Sequence, residues 1–240
     1  MKKVAILQSN YIPWKGYFDI IASVDEFIFY DDMQYTRRDW RNRNQIKTLD
    51  GRKWLTVPVK VKGKYFQKIR DTEIDGVNWA DVHWKTLALT YRHAPFFDEV
   101  AKIIEPIYGL RKYTYLSELN QTLIRLICSY LGIQTKISNS WDYNLIDGKT
   151  ERLLDLCLQA GGTEYLSGPS AKNYIEEHLF LDRGIRLSWF DYSSYPVYKQ
   201  LYGEFIHEVT ILDLLFNCGK DSSKFMKFSS APIKFSEKEK

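Results

Sequence analysis

Two uncharged apolar runs close together in the chain constrain its fold more than any other feature. The first, Val4-Ala5-Ile6-Leu7-Gln8, reads as a buried strand. The polar turn that follows carries Asn10, Pro13 and Gly16, and the amphipathic run 17–22 reads as a helix. A second apolar run, Phe27-Ile28-Phe29-Tyr30, then ends abruptly in Asp31-Asp32. Strand, loop, helix, strand opens a parallel sheet, because parallel strands need a crossover between them. Ligands of open parallel sheets sit beyond the carboxyl ends of the strands. Both the 8–15 loop and the aspartate pair lie at such ends, so the site is expected there.

The 240 residues allow one large domain or a domain with an appendage, and 45% hydrophobic with 27% charged residues is ordinary for a globular protein. A net charge of +4 lacks the concentrated positive field of a dedicated nucleic-acid binder, and suits a phosphorylated small molecule or nucleotide-sugar equally well. Cys128, Cys157 and Cys218 are odd in number and widely spaced, which gives neither a disulfide framework nor a zinc pattern. No metal site is assigned. Lys2-Lys3 lead straight into a short strand, so no secretory leader is read, and no apolar stretch approaches the roughly 18 residues of a membrane span. The expected location is the cytoplasm.

Alternating strands and helices continue along the chain. Asp50-Gly51 signals a hairpin between 45–48 and 53–57, limited by Pro58. The Lys-rich stretch 60–68 reads as an exposed loop. A helix runs from Asn78 or Asp81 to about Tyr91, another starts near Pro95, and 114–131 carries leucines at three- and four-residue steps with Gly132 as its stop. Then come a strand at 133–137, a helix at 150–160, a strand at 164–166, a helix from 170 to about 181, a strand at 185–190 and a last helix at 206–217. The expectation is a single α/β domain over 1–219, with a helical subdomain about 77–131, a helical C-terminal half and a flexible tail at 220–240.

Four constellations could carry chemistry. Backbone N–H groups at the start of the first helix, with Lys15, could attract an anion. One of Asp31 and Asp32 could orient an amine or act as a base, since neighbours on an extended chain point to opposite sides. Arg37, Arg38, Arg41 and Arg43 crowd one loop, and guanidinium forks bind phosphate bidentately. Ser167-Gly168-Pro169-Ser170 opens a helix after a strand, so its hydroxyls and amides either cap that helix or hold an anion. Among the histidines, His83 on a helix is the candidate general base.

These residues carry a family resemblance. Leu7-Gln8-Ser9-Asn10-Tyr11-Ile12-Pro13-Trp14-Lys15-Gly16-Tyr17-Phe18 resembles the start of the WbqC-like proteins. So do Tyr30-Asp31-Asp32-Met33-Gln34-Tyr35, Arg41-Asn42-Arg43-Asn44, Trp54-Leu55-Thr56-Val57-Pro58, Tyr165-Leu166-Ser167-Gly168, the stretch 192–198 and Asp213-Leu214-Leu215-Phe216-Asn217. The resemblance covers roughly 3–219 and implies a place in bacterial O-antigen or other surface-polysaccharide biosynthesis, including that of modified amino sugars. The order strand, Pro-containing loop, helix, strand is also similar to the nucleotidylyltransferase and pantothenate-synthetase group, which implies a nucleotidylyltransferase-like core. There the loop carries two phosphate-binding histidines. Here Trp14 and Tyr17 stand near those places, so the likeness is used for the fold alone.

The expected function is therefore acyl or aminoacyl transfer to the amine of a nucleotide-linked amino sugar. Asp32, His83 or Asp31 would take the amine proton. Lys15 and the arginine cluster at 37–43, with Arg38 and Arg43 named in the binding set, would hold the pyrophosphate, and Tyr11, Trp14 and Tyr35 would stack on sugar or base. Gln8, Asn10, Gln34, Asn44, Ser167, Gly168 and Ser170 complete the expected binding set. The donor would be an acyl-CoA, or an acyl-adenylate made from ATP and magnesium by an amide-ligase variant of the same chemistry. The competing reading is a non-catalytic binding subunit of the pathway. The basic run 60–70 leaves tRNA as the one nucleic-acid partner considered.

Overall fold

A computed structural model describes residues 1–110 and 112–228. Five short strands form one parallel sheet: β1 (Lys3–Leu7), β2 (Glu26–Phe29), β5 (Lys136–Asn139), β6 (Glu164–Ser167) and β7 (Arg186–Trp189). Across the sheet the order is β5-β2-β1-β6-β7. The chain thus winds outward from β1 to one edge, then returns to β1's other side and winds to the opposite edge. The two opening strands lie side by side, with Val4 opposite Glu26 and Leu7 opposite Phe29.

Both faces of the sheet are covered, which is why its strands lack a polar side. Alternate residues face alternate layers. Ala5, Phe27 and Phe29 pack with Phe18, Ile20 and Ile21 of α1 (Lys15–Ala22). Val4, Ile6 and Ile28 pack with Leu153, Leu156 and Cys157 of α5 (Thr150–Gln159). Each fully buried aliphatic or Phe side chain contributes about 1.5–3 kcal/mol, so these two layers supply most of the driving force for folding.

Between β2 and β5 the chain inserts a hairpin and three helices. The hairpin strands β3 (Arg43–Thr48) and β4 (Gly51–Thr56) are antiparallel. Thr48 pairs with Gly51, so the turn residues are Leu49 and Asp50, one position earlier than expected, and Gly51 takes the positive φ of 99°. The helices are α2 (Asn78–Tyr91), α3 (Phe97–Gly109) and α4 (Leu116–Leu131). Gly132, with φ of 73°, ends α4 in the left-handed conformation. Since Ile133 still closes that helix through its N–H to the Cys128 carbonyl, β5 starts only at Lys136.

The long helices are thus central, and the C-terminal half is not a helical half, because it supplies three of the five sheet strands. The helix expected from 170 to 181 is broken into a 3-10 turn, Pro169–Asn173, and the short α6 (Glu177–Asp182). The last helix, α7 (Ile211–Cys218), begins later than 206 because the Thr210 side chain caps it, accepting from the Leu212 N–H. Before it, residues 190–209 run without regular structure as a strap over α1. Residues 220–228, placed in the tail on sequence, are fastened to the domain. Gly219–Phe225 form a 3-10 helix, and the N–H groups of Lys227 and Phe228 donate to Asp19 Oδ1 at 3.0 Å. The rest of that tail, 229–240, lies outside the described residues.

Candidate functional site

The sheet winds in opposite directions on the two sides of β1, so the crossovers after β1 and β6 diverge and leave a crevice at their carboxyl ends. A cleft of about 530 Å³ lies there. Its walls are built by Leu7, Gln8 and Asn10 after β1, by Tyr30 and Met33 after β2, and by Ser167, Gly168, Ser170 and Tyr174 after β6. The first turn of α5 adds Lys149 and Leu153, the strap adds Tyr192, and the arginine-rich loop adds Trp40 and Arg41. Among the described residues that line it, none is Asp, Glu or His.

Two cations face this space. Lys149 is exposed, whereas only 16% of the Arg41 side chain is exposed. Arg41 donates from Nη1 to the Asn10 amide oxygen, its Nη2 lies 3.7 Å from Asp39, and its buried Nε has no partner among the described residues. Burial lowers the guanidinium's pKa, which marks a cation held against desolvation. The cleft hydroxyls of Tyr30, Tyr165, Tyr174 and Tyr192 are all shifted upward by burial, so they stay protonated donors at neutral pH.

The loop that carries Gln8 and Asn10 is held from beneath. Ile12 sits at φ 36°, a strained conformation for a β-branched residue. Asn44 Nδ2 donates to the carbonyls of Tyr11 and Ile12, and Ile211 N–H donates to that of Pro13. Asp31 is fully buried and accepts from Ser9 N–H at 2.7 Å, from Ser117 Oγ and from Gln121 Nε2. It fixes the start of the loop and has no free face toward the cleft. Asp32, on the opposite side of the chain, is paired with Lys68 Nζ at 3.0 Å and Arg70 Nη1 at 3.3 Å and accepts from Ser140 Oγ. Neither aspartate lines the cleft.

His83 is likewise remote from it. The ring is buried among Tyr11, Trp79 and Tyr108, with Nδ1 2.8 Å from the Tyr11 hydroxyl, and burial pushes its pKa down to about 4. Tyr11 is wholly buried, bonded to both His83 and Tyr108, so its ring has no face to offer a sugar. Lys15 turns toward the strap and tail, donating to the carbonyls of Pro196 and Phe225, with its pKa lowered by burial to about 8. Tyr35 is buried, while Gln34 is exposed and donates to the Tyr65 carbonyl. Arg43 lies over the Trp54 ring at 4.1 Å and bonds the carbonyl of the exposed Arg38, and neither residue lines the cleft. Asn44 and Trp14 line a neighbouring compartment of about 280 Å³.

Of the expected set, the structure brings together Gln8, Asn10, Ser167, Gly168 and Ser170 at the sheet's crossover. It adds Arg41 and, with no role assigned to them on sequence, Trp40, Lys149, Tyr174 and Tyr192. Arg41 was in the arginine cluster, but nothing in the local sequence distinguishes it from its neighbours. Among the described residues, no group of three His, Cys, Asp or Glu side chains is placed to hold a metal ion, and no helix is long and apolar enough to cross a membrane.

Comparison with known proteins decides the family. The WbqC-like protein family matches residues 8–225. The chain belongs to that family. It is 59% identical over 228 residues to the uncharacterized protein Rv1507c of Mycobacterium tuberculosis, an alignment covering 95% of this chain and 99% of that one. No solved structure matches. The WbqC-like match takes in the cleft lining from Gln8 to Tyr192, all of it but Ile6 and Leu7.

Proposed function

We propose that this WbqC-like protein binds a nucleotide-linked amino sugar in the β1–β6 cleft and serves surface-polysaccharide biosynthesis in the cytoplasm. The reaction we assign is acyl or aminoacyl transfer to the sugar's amine. The observation that carries this reading is Arg41, a largely buried guanidinium with an unpartnered Nε, facing a cavity whose lining has no carboxylate. A pyrophosphate would satisfy the fork, and Lys149 would add a second charge at the rim. The flat faces of Trp40, Tyr174 and Tyr192 suit a base or pyranose. The sheet order, counted along its own strands as 3-2-1-4-5, is that of nucleotide-binding doubly wound sheets and supports a nucleotidylyltransferase-like core.

In the transfer, the amine's nitrogen forms a bond to the acyl carbon as the donor's C–S or C–O bond breaks; the departing thiolate takes the amine's proton, or, from an acyl-adenylate, AMP leaves and the proton passes to solvent. The donor is an acyl thioester or an acyl-adenylate formed from ATP. Asp32 and His83 are both engaged elsewhere, so neither serves as the base in this reading. The absence of Asp, Glu and His from the cleft wall favours one second reading, a binding subunit that presents the sugar to a catalytic partner.

Thermal unfolding against UDP-, dTDP- and GDP-sugars, ATP and acyl-CoA tests the proposal. A ligand at a hundred times its dissociation constant stabilises by about 2.7 kcal/mol. A nucleotide-sugar should raise the unfolding temperature of the wild type and fail to do so for Arg41→Gln. No shift with any nucleotide-sugar would overturn it. Turnover by the purified chain with sugar and donor would separate the enzyme from the binding subunit.

A further inference from the structure

The cleft does not end at Asn10 and Trp40. Both residues also line the neighbouring compartment of about 280 Å³, whose other walls are Pro13, Trp14, Asn44 and Glu208. Asn10 and Trp40 therefore form a shared partition between a larger and a smaller space. The two spaces have opposite electrostatic character. Among the described residues, the larger is lined by Arg41 and Lys149 as its only charged groups, and the smaller by Glu208 as its only one.

We infer that the smaller compartment receives the amine-bearing sugar of the ligand, with Glu208 as the residue that recognises its ammonium. This rests on the nucleotide-sugar reading of the larger cleft and names the part of the substrate that reading leaves open. A molecule with phosphate at one end and ammonium at the other matches the charge order Arg41, Asn10, Glu208. The two tryptophans supply apolar faces for a pyranose, and an ammonium near an indole face is attracted by the ring quadrupole. Asn10 is positioned to hold the link between the two halves. Its amide oxygen is taken by Arg41, and its amide nitrogen has no protein partner among the described residues.

Both tryptophans are fixed from outside the compartment. Trp14 packs on Tyr192 and Tyr195, and Trp40 on Trp54, at centroid distances of 5.3–5.4 Å. Glu208 is 71% exposed, and its ion pair, to Arg52, is long at 3.7 Å. That carboxylate is free to exchange a weak partner for a substrate cation at little cost. Glu208 is a specificity-determining residue in this assignment, and Arg41 remains the anchor for the phosphates.

Calorimetric titration of matched pairs tests it: UDP-, dTDP- and GDP-hexoses with and without a free amino group, each against wild type, Glu208→Gln and Arg41→Gln. The wild type should prefer the amino sugar of the accepted nucleotide, by roughly two- to fivefold for one exposed carboxylate. Glu208→Gln should erase the preference while leaving affinity for the neutral sugar unchanged. Arg41→Gln should weaken both members of the pair alike. A wild type indifferent to the amine, or a Glu208→Gln variant that keeps the preference, overturns the inference while the nucleotide-sugar site stands. Failure of the wild type to bind any member overturns the reading of the cleft itself. Glu208 is exposed and makes one weak pair, so the variant should unfold at the same temperature as the wild type, and this control separates loss of recognition from loss of fold.

Discussion

Protonation of His83 should cost the protein a measurable part of its stability as pH falls from 6.5 toward about 4. The ring is 4% exposed, the Thr56 backbone lies beside it and its Nδ1 meets the Tyr11 hydroxyl. Burial lowers the folded-state pKa to about 4, against 6.5 in the unfolded chain. Between these values the unfolded state binds more protons, so stability rises with pH there. The contribution is full above pH 6.5 and is lost as pH falls toward 4. A gap of about 2.5 units corresponds to about 3 kcal/mol, of which about 2.5 kcal/mol is gone by pH 4.5. Glu26, whose ion pairs and hydrogen bonds outweigh its burial and hold it down at about 2, loses its contribution below pH 4.5 and so acts in a lower window. Asp19 and Asp213, raised by burial, act in the opposite sense, stabilising less as pH rises through their range. Comparison with a variant cancels these other groups. Urea unfolding at pH 7.5 and 4.5 should therefore show a difference about 2.5 kcal/mol larger for the wild type than for His83→Gln. Equal pH dependence in the two proteins, or a His83 resonance titrating near 6.5, would refute the reasoning and restore His83 as a candidate base.

Other substitutions separate framework from site. Asp31→Ala should destabilise by about 3–5 kcal/mol in denaturant titration, because Ser9 N–H, Ser117 and Gln121 lose a charged acceptor in the interior. Gly16→Ala should cost about 1–3 kcal/mol in the same assay, since a Cβ there would lie 2.4 Å from the Trp14 ring and push it off Tyr192 and Tyr195. Lys15→Met should raise amide exchange across 219–228, where the Phe225 carbonyl loses its donor. Burial holds the wild-type Lys15 ammonium at about 8, so wild-type stability should rise from pH 8 toward 10.5 as that charge is lost, and the variant should lack this rise.

The sheet was legible because each strand carries its one charged residue at its first position, and buried parallel strands have no polar alternation to confuse them. That legibility carried over to the residues at the strand ends, which is why Gln8, Asn10, Ser167, Gly168 and Ser170, expected there, line the cleft. Direction was harder to read. Asp31 and Asp32 were placed at the right strand end, but their donors come from Ser117, Gln121, Lys68, Arg70 and Ser140, at positions no local pattern links to them. In the 37–43 loop Arg38 takes a positive φ of 58° and no periodicity marks which guanidinium turns inward, so Arg41 could not be told from Arg38 and Arg43. Tyr11 and His83 are 72 residues apart, and each looks available until the other is seen against it. Tyr192 lies in a strap without regular structure, where sequence gives a composition but no face.

The central claim is that the ligand lies at the crossover of the sheet, with its anionic part on Arg41. A crystal structure of the protein with the nucleotide-sugar that stabilises it most would test this directly. The account expects the pyrophosphate within hydrogen-bond reach of Arg41, between the 8–10 loop and Ser167–Ser170. A ligand found instead in the surface groove lined by Lys112, Gln121 and Arg125, with the β1–β6 cleft empty, would contradict it.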